Sequence, residues 1–251
     1  MKLWLNNWYC GTSGLVLPVP NKLAYPEEYR ERSRLYYYST LFNSLEVNSS
    51  FYKLPMSRTV ERWSSDVAGN FKFTYKLSKE ITHCRDLLFN VDAVKNFFEV
   101  VKVPDEKRGC LLIQFPGKIS FDYYDHLVKL LKQVTRSTVK QPWSIAVEFR
   151  HESWYNDKTR GLLAKHNATV VIHDIKPFTR EYFDTGSPLV YIRFHGPEKN
   201  YRGSYTEEFL KSYARKIRSF LKNGKVVYAY FNNTLGPAAQ NLQTLDTMVR
   251  K

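Results

Sequence analysis

Ser144-Ile145-Ala146-Val147-Glu148-Phe149-Arg150 is an apolar run that closes on a carboxylate and a guanidinium two positions apart. A short run without polar alternation reads as a strand covered on both faces. Its two charged residues share one side, because alternate residues of a strand do. Seven further runs of the same kind lie to either side: Trp8 to Gly11, Ser44 to Val47, Lys72 to Tyr75, Cys110 to Gln114, Thr169 to His173, Val190 to Phe194 and Val226 to Phe231. Each leads into polar residues that a strand core would not choose: Gly11-Thr12-Ser13, Glu46 with Asn48, Lys76, Gln114, His173-Asp174, Arg193 with His195, and Asn232-Asn233.

Helical patterns fill the gaps. Val94, Phe97, Phe98 and Val101 recur at helical spacing, Leu127, Leu130, Leu131 and Val134 repeat it, and Phe209, Tyr213, Ile217 and Phe220 supply a third apolar stripe. Shorter helices are expected near Tyr29 to Thr40, Thr59 to Ser64, Lys158 to His166 and Ala238 to Met248. Strand, helix and strand in regular succession give parallel pairing through right-handed crossovers. Eight such units predict an α/β fold, a TIM-barrel-like (β/α)8 closed parallel barrel, formed by a single domain over residues 1–251. The weak unit lies between strands six and seven. There Lys176-Pro177, Gly186 and Pro188 point to an irregular or missing helix.

In such a barrel chemistry sits at the strand C-termini, so the polar strand ends form the candidate site. Glu46 with Asn48, Glu148 with Arg150, and Arg193 with His195 are i, i+2 pairs that would face the axis together. The expected catalytic groups are Glu148 as base, His195 as proton carrier and Glu46 as a second carboxylate. Arg150, Arg193 and Lys76 would clamp an anion. Gln114, Asn48, Asn232, Asn233 and Ser13 would orient hydroxyls or amides, and Phe51, Tyr52 or Trp154 would stack a base or sugar. The alternative is an ion network that plugs the barrel without chemistry, with Arg150 and Arg193 partnering the two glutamates. His83, His173 and Asp174 leave room for a divalent metal, although no HExxH-type spacing supports one.

Thirty-eight Lys and Arg against 24 Asp and Glu give a formal charge of +14, and such a surface attracts nucleic acid or phosphorylated metabolites. Lys211, Arg215, Arg218 and Lys222 follow one helix face, which reads first as a solvated outer surface. Cys10, Cys84 and Cys110 lack any CxxC spacing, so a reducing, cytoplasmic compartment is expected. No run approaches the ~20 apolar residues that span a bilayer, the start Met1-Lys2-Leu3-Trp4 lacks a signal-peptide pattern, and no protein partner is indicated.

Gly11-Thr12-Ser13-Gly14, Leu45-Glu46-Val47-Asn48-Ser49-Ser50-Phe51-Tyr52, Ile81-Thr82-His83, Gln114-Phe115-Pro116, Glu148-Phe149-Arg150-His151-Glu152-Ser153-Trp154, Tyr191-Ile192-Arg193-Phe194-His195-Gly196 and Phe231-Asn232-Asn233 resemble, in order, the signature blocks of the YecE-like family, domain of unknown function 72. The resemblance runs over nearly the whole chain. It implies a TIM-barrel-like fold and no known reaction. Leu15 stands where the family's first block usually has Trp, and Gly117 where a second Pro often follows.

The residues themselves favour an enzyme acting on a phosphate-bearing substrate, nucleic acid included, by acid/base or metal-assisted hydrolysis at the strand C-termini. Two other readings stand beside it. One is a nucleic-acid-binding protein without catalysis, using the Lys211 to Lys222 row. The other is a sugar or sugar-phosphate enzyme with Glu46 and Glu148 as paired carboxylates, which would need to lie ~5 to 9.5 Å apart.

Overall fold

The computed structural model describes residues 3–175, 182–198 and 200–251. In chain order its strands and α-helices are β1 (Trp8–Thr12), α1 (Arg34–Leu41), β2 (Ser44–Val47), α2 (Ser49–Tyr52), α3 (Ser57–Asp66), β3 (Lys72–Lys76), α4 (Lys79–Thr82), α5 (Val91–Val100), β4 (Arg108–Gln114), α6 (Tyr124–Ser137), β5 (Ser144–Glu148), α7 (Asp157–Lys165), β6 (Ala168–Val170), β7 (Ile172–His173), β8 (Leu189–Phe194), α8 (Glu207–Lys222), β9 (Val226–Phe231) and α9 (Ala238–Arg250). The run expected at Thr169 to His173 is thus two short strands interrupted at Val171. In the unit with the weak helix signal, residues 176–181 lie outside the described residues, and 182–188 form neither helix nor strand.

The helices follow their apolar spacing. In α6, Leu127, Leu130, Leu131 and Val134 are all buried, each contributing roughly 1.5–3 kcal/mol of burial before entropy is counted. Helix α8 starts at Thr206, whose side chain accepts from Phe209 N, with Glu207 and Glu208 in its first turn, where the helix dipole favours them. Its buried face is Leu210, Tyr213, Ala214, Ile217 and Leu221. The expected stripe through Phe209 and Phe220 is therefore rotated, and those two rings are only half-buried. Their aromatic character drew the stripe one position off the true face.

Every strand pair is parallel. The orders are β1-β9-β8-β7 in one sheet and β2-β3-β4-β5-β6 in the other. The sheets meet twice. Ser13 and Glu46 form a parallel bridge beyond β1, and Gly14 N donates to Glu46 O at 2.8 Å. At the other junction Val171 N donates to Val147 O at 2.9 Å, while the same chain runs on from β6 into β7. Gly11 makes the first junction tight, since a Cβ there would stand 2.0 Å from Ser44 O.

The larger core lies between strands and helices. A second cluster, Cys110, Leu112, Ala146, Val171, Leu189, Tyr191, Tyr228 and Tyr230, draws residues of matching parity from both sheets. These occupy the opposite faces of the strands, the side on which the polar strand ends converge. Among the described residues no helix is long and apolar enough to cross a membrane.

Candidate active site

The site builds up in steps along the inward faces. Lowest is a hydroxyl layer: Tyr230 Oη lies 2.5 Å from Ser44 Oγ and 2.8 Å from Thr74 Oγ1. Two residues further along β2, Glu46 Oε2 accepts from Tyr191 Oη of β8 at 2.5 Å. Glu46 is fully buried, and a buried carboxylate requires donors on its lone pairs. It has them from Tyr191, from Ser13 Oγ at 2.5 Å, and from Arg193 through Nε at 3.0 Å and NH2 at 2.7 Å. Arg193, 1 % exposed, gives its remaining end to Glu148 Oε2 at 2.7 Å. Glu148 takes Arg150 on its other oxygen, with Nε at 2.5 Å.

This arrangement bears on two sequence expectations. Both ends of the Arg193 guanidinium, expected to clamp an anion, are taken by carboxylates. The same guanidinium bonds both Glu46 and Glu148, the carboxylates that a glycosidase reading would pair. Glu46 is ringed by donors and closed to solvent.

Burial alone would raise the Glu148 carboxyl, but Arg150, Arg193 and His195 outweigh it and hold it well below the usual range. Burial pushes the His195 imidazole down to about 4, against the pull of Glu148. The ring is therefore neutral at pH 7. Asn232 Nδ2 can only donate, so His195 Nδ1, 3.0 Å away, accepts. The ring proton then sits on Nε2, which lies 3.5 Å from Glu148 Oε1 and 3.4 Å from Arg150 NH2. His195 N donates to Asp174 Oδ1 at 2.8 Å. Asp174 Oδ2 accepts from Tyr205 Oη, which itself accepts from Gly196 N at 2.5 Å, so one aspartate pins both ends of the loop after β8.

Lys76 closes β3 with its side chain on the face of Thr74. Burial, and Arg193 nearby, lower its amine to about 8. Its Nζ stands 3.9 Å over the Phe51 ring. Against the same ring packs His83, brought down to about 4 by burial and by Lys76. Gln114 pairs in register with Glu148 and turns its amide to Phe115 O at 3.1 Å, while Asn48 Oδ1 is buried without a hydrogen-bond partner.

Other expected residues lie elsewhere. Trp154 is wholly buried on the helix side, donating to Ile119 O at 2.7 Å and stacked on Phe149, so it offers no stacking surface at the strand ends. Asn233 is also buried and holds Gly203 O at 3.0 Å and Asn241 Oδ1 at 3.1 Å. His173 bonds Phe149 O at 3.2 Å, Asp174 is committed to the loop and His83 to Thr82 at 2.9 Å. Among the described residues no three His, Cys, Asp or Glu side chains are grouped to hold a metal ion.

Sequence reasoning missed Tyr191 and Tyr205. Tyr191 was within reach, because it shares parity with Arg193. Tyr205 carries no local signal. A cavity of about 710 Å3 opens beside His195, lined also by Asp174, Tyr201, Ser204, Tyr205 and Phe209.

Residues 9–251 match the profile of the family described as "Protein of unknown function DUF72". The chain is 25 % identical over 259 residues to UPF0759 protein YunF of Bacillus subtilis (strain 168), covering 88 % of this chain and 90 % of that protein. Among solved structures, a DUF72 family protein of Thermotoga maritima MSB8 superposes with a TM-score of 0.76 at 28 % identity, over 97 % of this chain and 99 % of that one. Another from Enterococcus faecalis V583 has a TM-score of 0.76 at 20 % identity, over 97 % of each chain. With the signature residues gathered at the strand ends and the profile matched almost end to end, the chain belongs to the DUF72 family.

Proposed function

We propose that the chain is an enzyme acting on a phosphate-bearing substrate by acid–base chemistry at the C-terminal ends of its strands, with His195 and Glu148 moving the proton. One observation carries this reading. A neutral imidazole on the wall of a cavity large enough for a small ligand is backed by an ionised, fully buried carboxylate. Glu148 would stabilise the imidazolium that forms when His195 takes a proton. Because Nδ1 is held by Asn232, a substrate hydroxyl or water must displace that amide to deliver the proton there. Arg150, whose side chain is 16 % exposed, and Lys76 are the cations left to meet the anion. The donor set favours the acid–base route over metal assistance, since His83, His173 and Asp174 are each turned to different partners.

The same reading takes the two sheets as arcs of one closed eight-stranded barrel in a single domain, with β6 and β7 counted as one strand. The Ser13–Glu46 bridge and the Val171–Val147 hydrogen bond support it. Three free thiols, two of them buried, fit a cytoplasmic setting.

Outer-face nucleic-acid binding has less support. Lys211 is paired with Glu207 at 2.7 Å, and Arg218 caps Met248 O. Charge reversal of Lys211 and Arg215 is expected to leave the salt dependence of any nucleic-acid binding unchanged.

The test is a panel of phosphomonoesters and phosphodiesters, p-nitrophenyl phosphate and bis-p-nitrophenyl phosphate among them, assayed with wild type, Glu148→Gln and His195→Ala. Turnover should fall at least ~100-fold in both variants, the range for removing a general acid or base. Turnover equal to wild type in either variant overturns the reading.

A further inference from the structure

We propose that Lys76 is a covalent amine: the site takes an aldehyde or ketone that also carries an anionic group, and Lys76 Nζ forms an imine with its carbonyl carbon. This rests on the reading of the strand ends as an active site and names the substrate class more narrowly.

The protein contains its own control. Lys107 is as buried as Lys76, each keeping 9 % of its surface, and its amine is satisfied conventionally. It donates to Ser64 O and, at 2.9 Å, to Val67 O, two carbonyls near the end of α3. Lys76 has no comparable partner. Among the described residues no carboxylate lies within ion-pair distance of its Nζ and no carbonyl accepts from it, and its close neighbour is the Phe51 ring at 3.9 Å. A buried ammonium with no acceptor is costly, and a buried neutral amine costs far less.

Every element around it adds charge in a balanced way. Arg193 from β8 and Arg150 beyond β5 oppose protonation, Glu148 from β5 and Glu46 from β2 favour it, and His83 beyond α4 shares the Phe51 face. Both carboxylates are already gripped by guanidiniums, so burial prevails and the amine titrates near 8. At that pH a large share is unprotonated, the state required of a nucleophile.

The step balances. The amine lone pair attacks the carbonyl carbon, the C–N bond forms and the C=O π bond breaks. Both amine hydrogens leave with the oxygen as water, and the imine nitrogen takes a proton from solvent. Arg150 remains to hold the anionic group once Lys76 is consumed.

Pyridoxal 5′-phosphate, an aldehyde bearing a phosphate, is the probe, with glyoxylate as a smaller one. The folded protein is incubated with either at pH 6 to 10, reduced with borohydride and mapped by peptide mass spectrometry. Lys76 should be modified at least ~10-fold faster than exposed Lys211 at pH 8, with a rise centred near 8 and protection by inorganic phosphate. Lys76→Arg, correctly folded by circular dichroism, should lose that site and no other. Labelling by both probes that merely follows exposure, or that spares Lys76, overturns the imine while leaving the His195–Glu148 reading standing if their variants abolish turnover. Fast labelling of Lys76 alongside unchanged turnover in His195→Ala retains the imine and removes the acid–base assignment.

Discussion

Arg193 grips Glu46 with two parallel hydrogen bonds, Nε at 3.0 Å and NH2 at 2.7 Å, in an interior from which both side chains are withdrawn from water. Such a fork fixes geometry as well as charge. Removing one partner of a buried pair leaves the other uncompensated, at a cost of ~3–5 kcal/mol. Arg193→Met should lower the urea unfolding midpoint by a corresponding amount, because it strands two carboxylates. Arg193→Lys should recover only part of the loss, since an ammonium cannot span Glu46 and Glu148 together. A midpoint within 1 M of wild type for Arg193→Met would mean that the network contributes little, at the ~1–3 kcal/mol/M typical of urea.

Acid sensitivity follows from His195. Its folded value of about 4 lies below the free value of 6.5, so between those pH values the unfolded chain binds a proton that the folded chain refuses. Stability is therefore full above pH 6.5 and declines as pH falls towards 4, by about 3 kcal/mol from this group. Glu148, also depressed, continues the loss in the same direction at lower pH. Chemical denaturation of His195→Asn at a series of pH values should show a shallower decline between 6.5 and 4 than wild type.

Lys76 acts at the other end of the scale. Between about 8 and 10.5 the unfolded amine carries a proton that the folded one has shed. Folding stability should rise with pH through that window by a contribution of at most ~3 kcal/mol. Lys76→Met should remove this rise, so that wild type gains stability relative to the variant as pH increases through that window. A constant difference from pH 7 to 10 would refute the assignment.

Two glycines make opposite predictions. A Cβ at Gly11 would stand 2.0 Å from Ser44 O and 2.9 Å from Tyr38 Oη, so Gly11→Ala must push β1 from β2. We expect a loss of at least ~1–3 kcal/mol, the range for forcing atoms into a filled core. Gly161, exposed within α7, has nothing within 4 Å, and Gly161→Ala should stabilise by ~0.5–1 kcal/mol through helix propensity. Thermal melts of the two variants should move in opposite directions.

The strands were legible because each is a bare apolar run closed by polar residues. Ser44–Val47 and Val226–Phe231 match their sequence ranges residue for residue. Parity along those strands brought Glu46, Glu148, Arg150, Arg193 and His195 to one place. Roles were less legible than positions. Whether Arg193 meets solvent or two glutamates depends on how three distant strands pack, which no local pattern encodes. Trp154 and Asn233 misled for a related reason: each sits near a strand end, but its side chain turns to the helix side or into a loop. The one-turn helices α2 and α4 are too short for any periodicity to register.

Arg193 reaches back 147 residues to Glu46 and 45 to Glu148. Any fragment ending before β8 would carry both acids with no cation between them, and would have to protonate them or leave them wet. The early strands therefore gain little by closing before the late ones arrive. Autonomous half-molecules are disfavoured, and contacts this remote in sequence make for slow, all-or-none assembly.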